Sequence, residues 1–164
     1  MASSGIGARP VPIVGSIVVA IMLTILPLPE WLAPFRPDFV AMTLIYWAIH
    51  TPRACGVGIA WLVGLVLDVA QGTLLAQHAL AMSLIVYLTA KFHLRLRVFP
   101  LLQMAATMLA LLSIYRFVLF WINGVAGVSA SAATYWGPIV TGAVLWPVVA
   151  VILRSLPYRR RARA

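Results

Sequence analysis

Apolar residues fill this chain in long blocks, and prolines, glycines and charges interrupt them often enough to mark out helices and the turns between them. The first block predicts a helix over 11–28, with Pro10 and Pro12 suited to its first turn and Pro27 and Pro29 ending it. The stretch PEWLAPFRPD that follows reads as an interfacial turn, with Trp31 and Phe35 at headgroup depth. A second helix is predicted over 38–51, opened by Asp38 after Pro37 and stopped by Pro52. Its wholly apolar part, 39–49, would span only about 16 Å against a hydrocarbon core of about 30 Å. A helix this short must be flanked by protein, thin the bilayer or fail to cross. Four more helices are predicted over 54–70, 74–90, 100–121 and 136–154. The segment KFHLRLRVFP alternates basic and apolar residues and reads as a loop, NGVAGVSASAAT as a linker, and 155–164 as a basic tail.

Composition sets the class. The chain is 63% hydrophobic and 9% charged, with a mean hydropathy of +1.04, far from the proportions of a soluble domain. The reading is an all-α integral membrane protein, a compact bundle of six transmembrane helices with a short second helix and no extramembrane domain. The net charge of +9 arises from 12 Lys and Arg against Glu30, Asp38 and Asp68. In a membrane chain such a balance points to cytoplasmic orientation and anionic lipid, and no folded domain presents the basic residues to nucleic acid. Although Arg9 and the apolar run after it resemble a secretory signal, no small-residue cleavage site follows, so an uncleaved first helix is expected.

Orientation decides whether the second helix crosses. With six spans and both termini inside, Arg9, Arg53, Lys91, Arg95, Arg97, Arg154 and the tail arginines face the cytoplasm, and Arg36 alone lies outside. Without that span, a basic terminus would fall on the wrong side.

Gly56, Ala60, Gly64, Asp68 and Gly72 recur at every fourth position and would form one small-residue ridge on the third helix, suited to close helix contact inside the bundle or with a partner. Counting along the helices puts Asp68 about 22 Å above Arg53 and Arg116 about 24 Å above Pro100. At that shared depth the two either form an intramembrane ion pair or snorkel separately to the outer headgroups. Lys91, Arg95, Arg97, Arg159, Arg160 and Arg161 are the expected cytoplasmic contacts for anionic phospholipid or a partner.

Catalysis is not expected, because the three acids are scattered and no pair is poised for acid and base work. No metal or cofactor is expected either: His50 and His93 belong at one end, His78 at the other, and the single Cys55 stands away from His78 and permits no internal disulfide. The interruption from Gln71 to His78 beside Asp68 could instead mark a solute site of a transporter, or Gly72 and Thr73 could simply turn the chain.

Particular strings resemble the rod-shape-determining protein MreD family of bacterial cell elongation, in its Gram-negative form. They are Phe35, Arg36, Pro37 and Asp38; Tyr46 and Trp47 with Pro52 and Arg53; the run from Gly64 through Asp68 to Gly72; Gln77, His78, Ala79 and Leu80; and Leu145, Trp146 and Pro147. The resemblance implies a non-catalytic inner-membrane scaffold subunit of the rod complex, supporting peptidoglycan synthesis. Its implied partners are MreC directly, and MreB, RodA and its transpeptidase through the complex. It also implies an analogy of helix arrangement to the substrate-binding subunits of energy-coupling-factor transporters, which carries little functional weight; the alternative, a small-molecule or lipid-binding transporter subunit, rests on the interruption beside Asp68.

Overall fold

An all-apolar helix has no face that requires water, and the second helix of this chain is enclosed by protein. The computed structural model describes residues 10–129 and 131–156. Among these it contains six α-helices: α1 (Val11–Ile25), α2 (Phe39–His50), α3 (Val57–Gln71), α4 (Gln77–Leu96), α5 (Leu101–Val125) and α6 (Ala132–Ser155). A single 3-10 turn, Ala33–Phe35, precedes α2. Three helices, α4, α5 and α6, are long and apolar enough to cross a membrane, and α1 and α3 are shorter apolar helices.

Every residue of α2 from Val40 to Ile49 is buried. Of the three fates open to so short a helix, flanking by protein is the one observed. Successive neighbours α1, α3, α4, α5 and α6 surround α2, which packs directly on α1, α4 and α6. The surround is open between α6 and α1, where an apolar groove reaches Phe39 and Thr43 of α2. Trp47 on α2 donates its indole N–H to Ser16 of α1 at 2.8 Å, and Ser16 in turn donates to the Ile13 carbonyl at 2.9 Å. Thr43, Ser83 and Thr89 each donate to the carbonyl four residues earlier, so these hydroxyls require no partner on another helix.

The ends of the helices depart from the expected positions for physical reasons. The predicted loop 91–100 is helical as far as Leu96, because a helix tolerates charged residues wherever one face reaches water. Lys91, Phe92, Leu94 and Arg95 are exposed there while Leu96 is buried. The linker predicted over 123–134 is shorter than expected, since α5 continues to Val125 and α6 begins at Ala132.

Two arginines serve as C-terminal caps. Arg36 donates both terminal nitrogens to the carbonyls of Thr24 and Leu26 at the end of α1. Arg97 donates its Nε to the Ile49 carbonyl at 2.9 Å and its Nη2 to the His50 carbonyl, so it caps the enclosed α2. Arg97, an expected cytoplasmic contact for lipid or a partner, is thus held by backbone through two of its nitrogens.

The small-residue ridge divides into a buried middle and two uncovered ends. Ala60, Gly64 and Asp68 are buried, whereas Gly56 is the N-cap of α3 and partly exposed, and Gly72 is an exposed C-cap. At Gly64 the backbone of α4 approaches so closely that a Cβ would lie 2.3 Å from the Ala79 Cα. The ridge is covered by α4 of the same chain. A second close approach lies at Gly137 on α6, where a Cβ would come within 2.6 Å of the Pro34 carbonyl oxygen. The absence of a side chain there lets the 3-10 turn seat against α6 and carries Asp38 toward α5.

Candidate functional site

The polar residues of the bundle gather where α2 begins, α3 ends and α4 begins. Gly72 adopts a left-handed conformation, φ +63°, and terminates α3. Ala76, φ +72°, occupies the N-cap position of α4 but has no side chain able to cap it. Between them the chain folds back on itself and sets the first turn of α4 over Asp68.

Asp68 supplies the missing cap. Its Oδ1 accepts the His78 backbone N–H at 3.1 Å, the Thr73 hydroxyl at 3.0 Å and the His78 Nδ1 at 2.6 Å. A carboxylate at this place satisfies an orphan N–H and complements the positive end of the helix. The side chain is fully enclosed, and its second oxygen, Oδ2, has no partner among the described residues. Donation from His78 Nδ1 to Asp68 leaves Nε2 as the acceptor nitrogen of the ring. Replacing Asp68 with alanine should lower stability by about 2 kcal/mol, and replacement with asparagine, which keeps an oxygen acceptor, by less than half of that. Thermal unfolding of the two variants in detergent measures the difference, and equal losses would show that capping is not the role of the carboxylate.

Asp38 and Arg116 form the second pair. Arg116 Nε donates to Asp38 Oδ2 at 2.7 Å and Nη2 donates to Oδ1 at 2.5 Å, a two-pronged contact that fixes both planes. Nη1 also reaches the Thr134 carbonyl of α6 at 3.4 Å. Asp38 occupies the N-cap position of α2, yet its side chain makes no capping bond because Arg116 holds it. One pair thus ties the central helix to α5 and α6.

The expected ion pair between Asp68 and Arg116 is corrected on both sides. Asp68 bonds to His78, and Arg116 to Asp38. Depth counting constrains height along a helix but not direction around it, and α4 lies between α3 and α5. His78 and Tyr115 stand between the two pairs, with ring centroids 6.3 Å apart. A pocket of about 180 Å³ opens beside them, lined by Arg36, Asp38, Gln71, His78, Tyr115 and Arg116. Sequence reasoning missed His78 as the partner of Asp68 and Asp38 as the partner of Arg116. The usable signal was the need for a counter-ion at Arg116; for Asp68, the turn through Gly72 and Ala76 that brings His78 back to it leaves no such signal at Ala76.

Chemically, the cluster is built for holding. His78 has an oriented ring, and the threonine hydroxyls that line the pocket are bonded elsewhere, that of Thr24 to the Ala20 carbonyl and that of Thr134 to the Ser131 hydroxyl. No group of three metal-ligating side chains occurs among the described residues. Burial in the turn between α2 and α3 pushes the Cys55 thiol up to about 12, which leaves it protonated and unreactive at neutral pH. Of the other expected contacts, Lys91 and Arg95 are exposed at the far end of α4, and Arg159, Arg160 and Arg161 lie outside the described residues.

The family described as rod shape-determining protein MreD matches residues 10–156. The rod shape-determining protein MreD of Haemophilus influenzae is 28% identical over 150 residues, an alignment that covers 89% of each chain. No solved structure matches.

Proposed function

The chain belongs to the rod shape-determining protein MreD family, and from that premise we propose that it is a non-catalytic scaffold subunit of the cell-elongation complex in the bacterial inner membrane. All six helices span the bilayer in this reading, both termini face the cytoplasm, and the cluster of Asp38, Asp68, His78 and Arg116 lies toward the periplasm. The 164 residues form one membrane domain. MreC is the direct partner, and MreB, RodA and its transpeptidase are reached through the complex, in support of peptidoglycan synthesis. Lys91 and Arg95 meet anionic phospholipid at the cytoplasmic surface. The helix arrangement is analogous to that of the substrate-binding subunits of energy-coupling-factor transporters.

The apolar groove between α1 and α6 carries the scaffold reading. Its volume is about 500 Å³, and Gly15, Val19 and Leu23 of α1 and Val149 and Ile152 of α6 form its walls. Small residues admit a helix closely, and the membrane helix of MreC is the proposed occupant. A Cβ at Gly15 would meet nothing within 4 Å among the described residues, so a large side chain there fills the groove without disturbing the described bundle. Gly15→Trp is expected to reduce co-purification with MreC about tenfold while leaving the melting temperature within a few degrees of the wild type. Undiminished co-purification would remove the groove from the proposal. Retention of a small molecule by a chain indifferent to MreC would favour the transporter alternative, with the pocket beside His78 as its site.

A further inference from the structure

A larger cavity lies at the opposite end of α2 from the paired acids. It has a volume of about 830 Å³ and is enclosed by the last turns of α2 and α6 and by the connection from α4 to α5. Its walls include Tyr46, Trp146, Phe99 and Met104, and Arg97 and Arg154 stand in its lining. None of the chain's three acidic residues, Glu30, Asp38 and Asp68, lines it.

The groups left unsatisfied there are donors. Arg154 has no hydrogen-bond acceptor or carboxylate partner among the described residues, although it lies within electrostatic reach of Tyr46. Arg97 is fixed by the Ile49 and His50 carbonyls through Nε and Nη2, which leaves Nη1 without an acceptor among the described residues. Tyr46 is 6% exposed and Trp146 2% exposed, yet neither the phenol O–H nor the indole N–H has an acceptor among the described residues. Donors in the lining beside cations that have no carboxylate partner among the described residues favour a ligand that is anionic and rich in acceptor oxygens. The cavity rim also runs onto outward apolar surface: Leu101 and Val151 line it and are 74% and 68% exposed. A hydrocarbon chain attached to the anion therefore has an apolar path out of the cavity along α5 and α6.

We propose that this cavity seats the phosphate head of an anionic membrane amphiphile, with Arg97 and Arg154 as counter-cations and Tyr46 and Trp146 as neutral donors. The inference rests on the membrane placement of the bundle given above, but not on its partner. The arginines neutralise the phosphate, the aromatic donors bond its oxygens, and the chain follows the exposed apolar faces of α5 and α6. Arg154 is exposed and makes no hydrogen bond or ion pair among the described residues, so it is the residue to change.

The full chain, titrated with phosphatidylglycerol or phosphatidylcholine and observed by native mass spectrometry, should retain the anionic lipid in preference. Arg154→Gln should reduce retained phosphatidylglycerol about fivefold, the effect of one membrane-surface cation. Arg154→Lys should restore most of the binding, and Arg53→Gln, an exposed cation in the turn after α2 that does not line the cavity, should leave it unchanged. Equal retention of the two lipids, or equal losses in Arg154→Gln and Arg53→Gln, would overturn the proposal. Displacement of phosphatidylglycerol by inorganic phosphate would overturn it too, by assigning the cavity to a soluble phosphate compound. Co-purification with MreC reports on the scaffold reading separately, because Arg154 lies outside the α1–α6 groove.

Discussion

Replacing Gly64 with alanine is expected to destabilise the bundle by about 3 kcal/mol, or about 10 °C in melting temperature, the upper range for an overpacked contact. The new Cβ would lie 2.3 Å from the Ala79 Cα, 2.5 Å from the Ala79 nitrogen and 2.8 Å from the His78 carbonyl carbon. All three are backbone atoms, so no rotamer change relieves the clash and α3 must move away from α4. That movement also draws the His78 N–H off the Asp68 carboxylate, which couples the ridge to the polar cluster. Gly58→Ala is the internal control, since a Cβ there meets nothing and alanine favours a helix by about 0.5–1 kcal/mol. Thermal unfolding in detergent should therefore show opposite signs for two Gly→Ala changes on one helix. A Gly64→Ala protein as stable as the wild type would mean that α3 and α4 do not approach at this point.

Removing the arginine of the second pair should have a comparable effect. Arg116→Gln leaves the Asp38 carboxylate, only 14% exposed, without its counter-ion, at an expected cost of about 3 kcal/mol. The double variant Asp38→Asn with Arg116→Gln removes both charges and should cost less than Arg116→Gln alone, because no uncompensated ion remains. Combining Arg116→Gln with Asp68→Asn should instead give roughly the sum of the two single effects, since those residues have different partners. Stability measurements on the wild type, the single variants Arg116→Gln, Asp38→Asn and Asp68→Asn, and the two double variants separate the observed pairing from the one that depth counting suggests. Strict additivity within the Asp38 and Arg116 set would refute it.

The two polar pairs perform one structural task at the same end of the bundle. Asp38 with Arg116 holds the start of α2 against α5 and α6, and Asp68 with His78 holds the start of α4 against the end of α3. At the other end of α2, Arg97 takes the terminal carbonyls. A helix of 12 residues is about 18 Å long, so its ends lie well inside the thickness of the bundle and their polar groups need partners from the protein. These contacts use two of the chain's three acidic residues and leave outer faces of the bundle apolar.

Sequence patterning located the elements better than their ends. Pro52 and Gly72 stop helices for local backbone reasons, so the stops at α2 and α3 were legible. Lys91 and Arg95 were misread as loop residues because a charge at a membrane surface is compatible with both a loop and an exposed helix face. Asp68 could be recognised as a structural pin from its place among small residues, and Gly64 as a point of close approach. The partner of Asp68 could not, because His78 meets it through a turn whose left-handed residues include Ala76, for which the residue type gives no signal.

What this sequence determined by itself is the membrane class, the presence and order of the helices, the small-residue face of α3, and a family resemblance carried by ordered strings. These follow from hydropathy, from local backbone preference and from linear spacing, all of which are properties of neighbouring residues. Only the tertiary structure decided that α2 is the enclosed helix, that α4 separates α3 from α5, and that the surround is open between α1 and α6. Those facts depend on the direction each helix face points and on which helices become neighbours. Several apolar faces of similar character compete for each place in a membrane bundle, so linear pattern leaves that choice open and packing makes it.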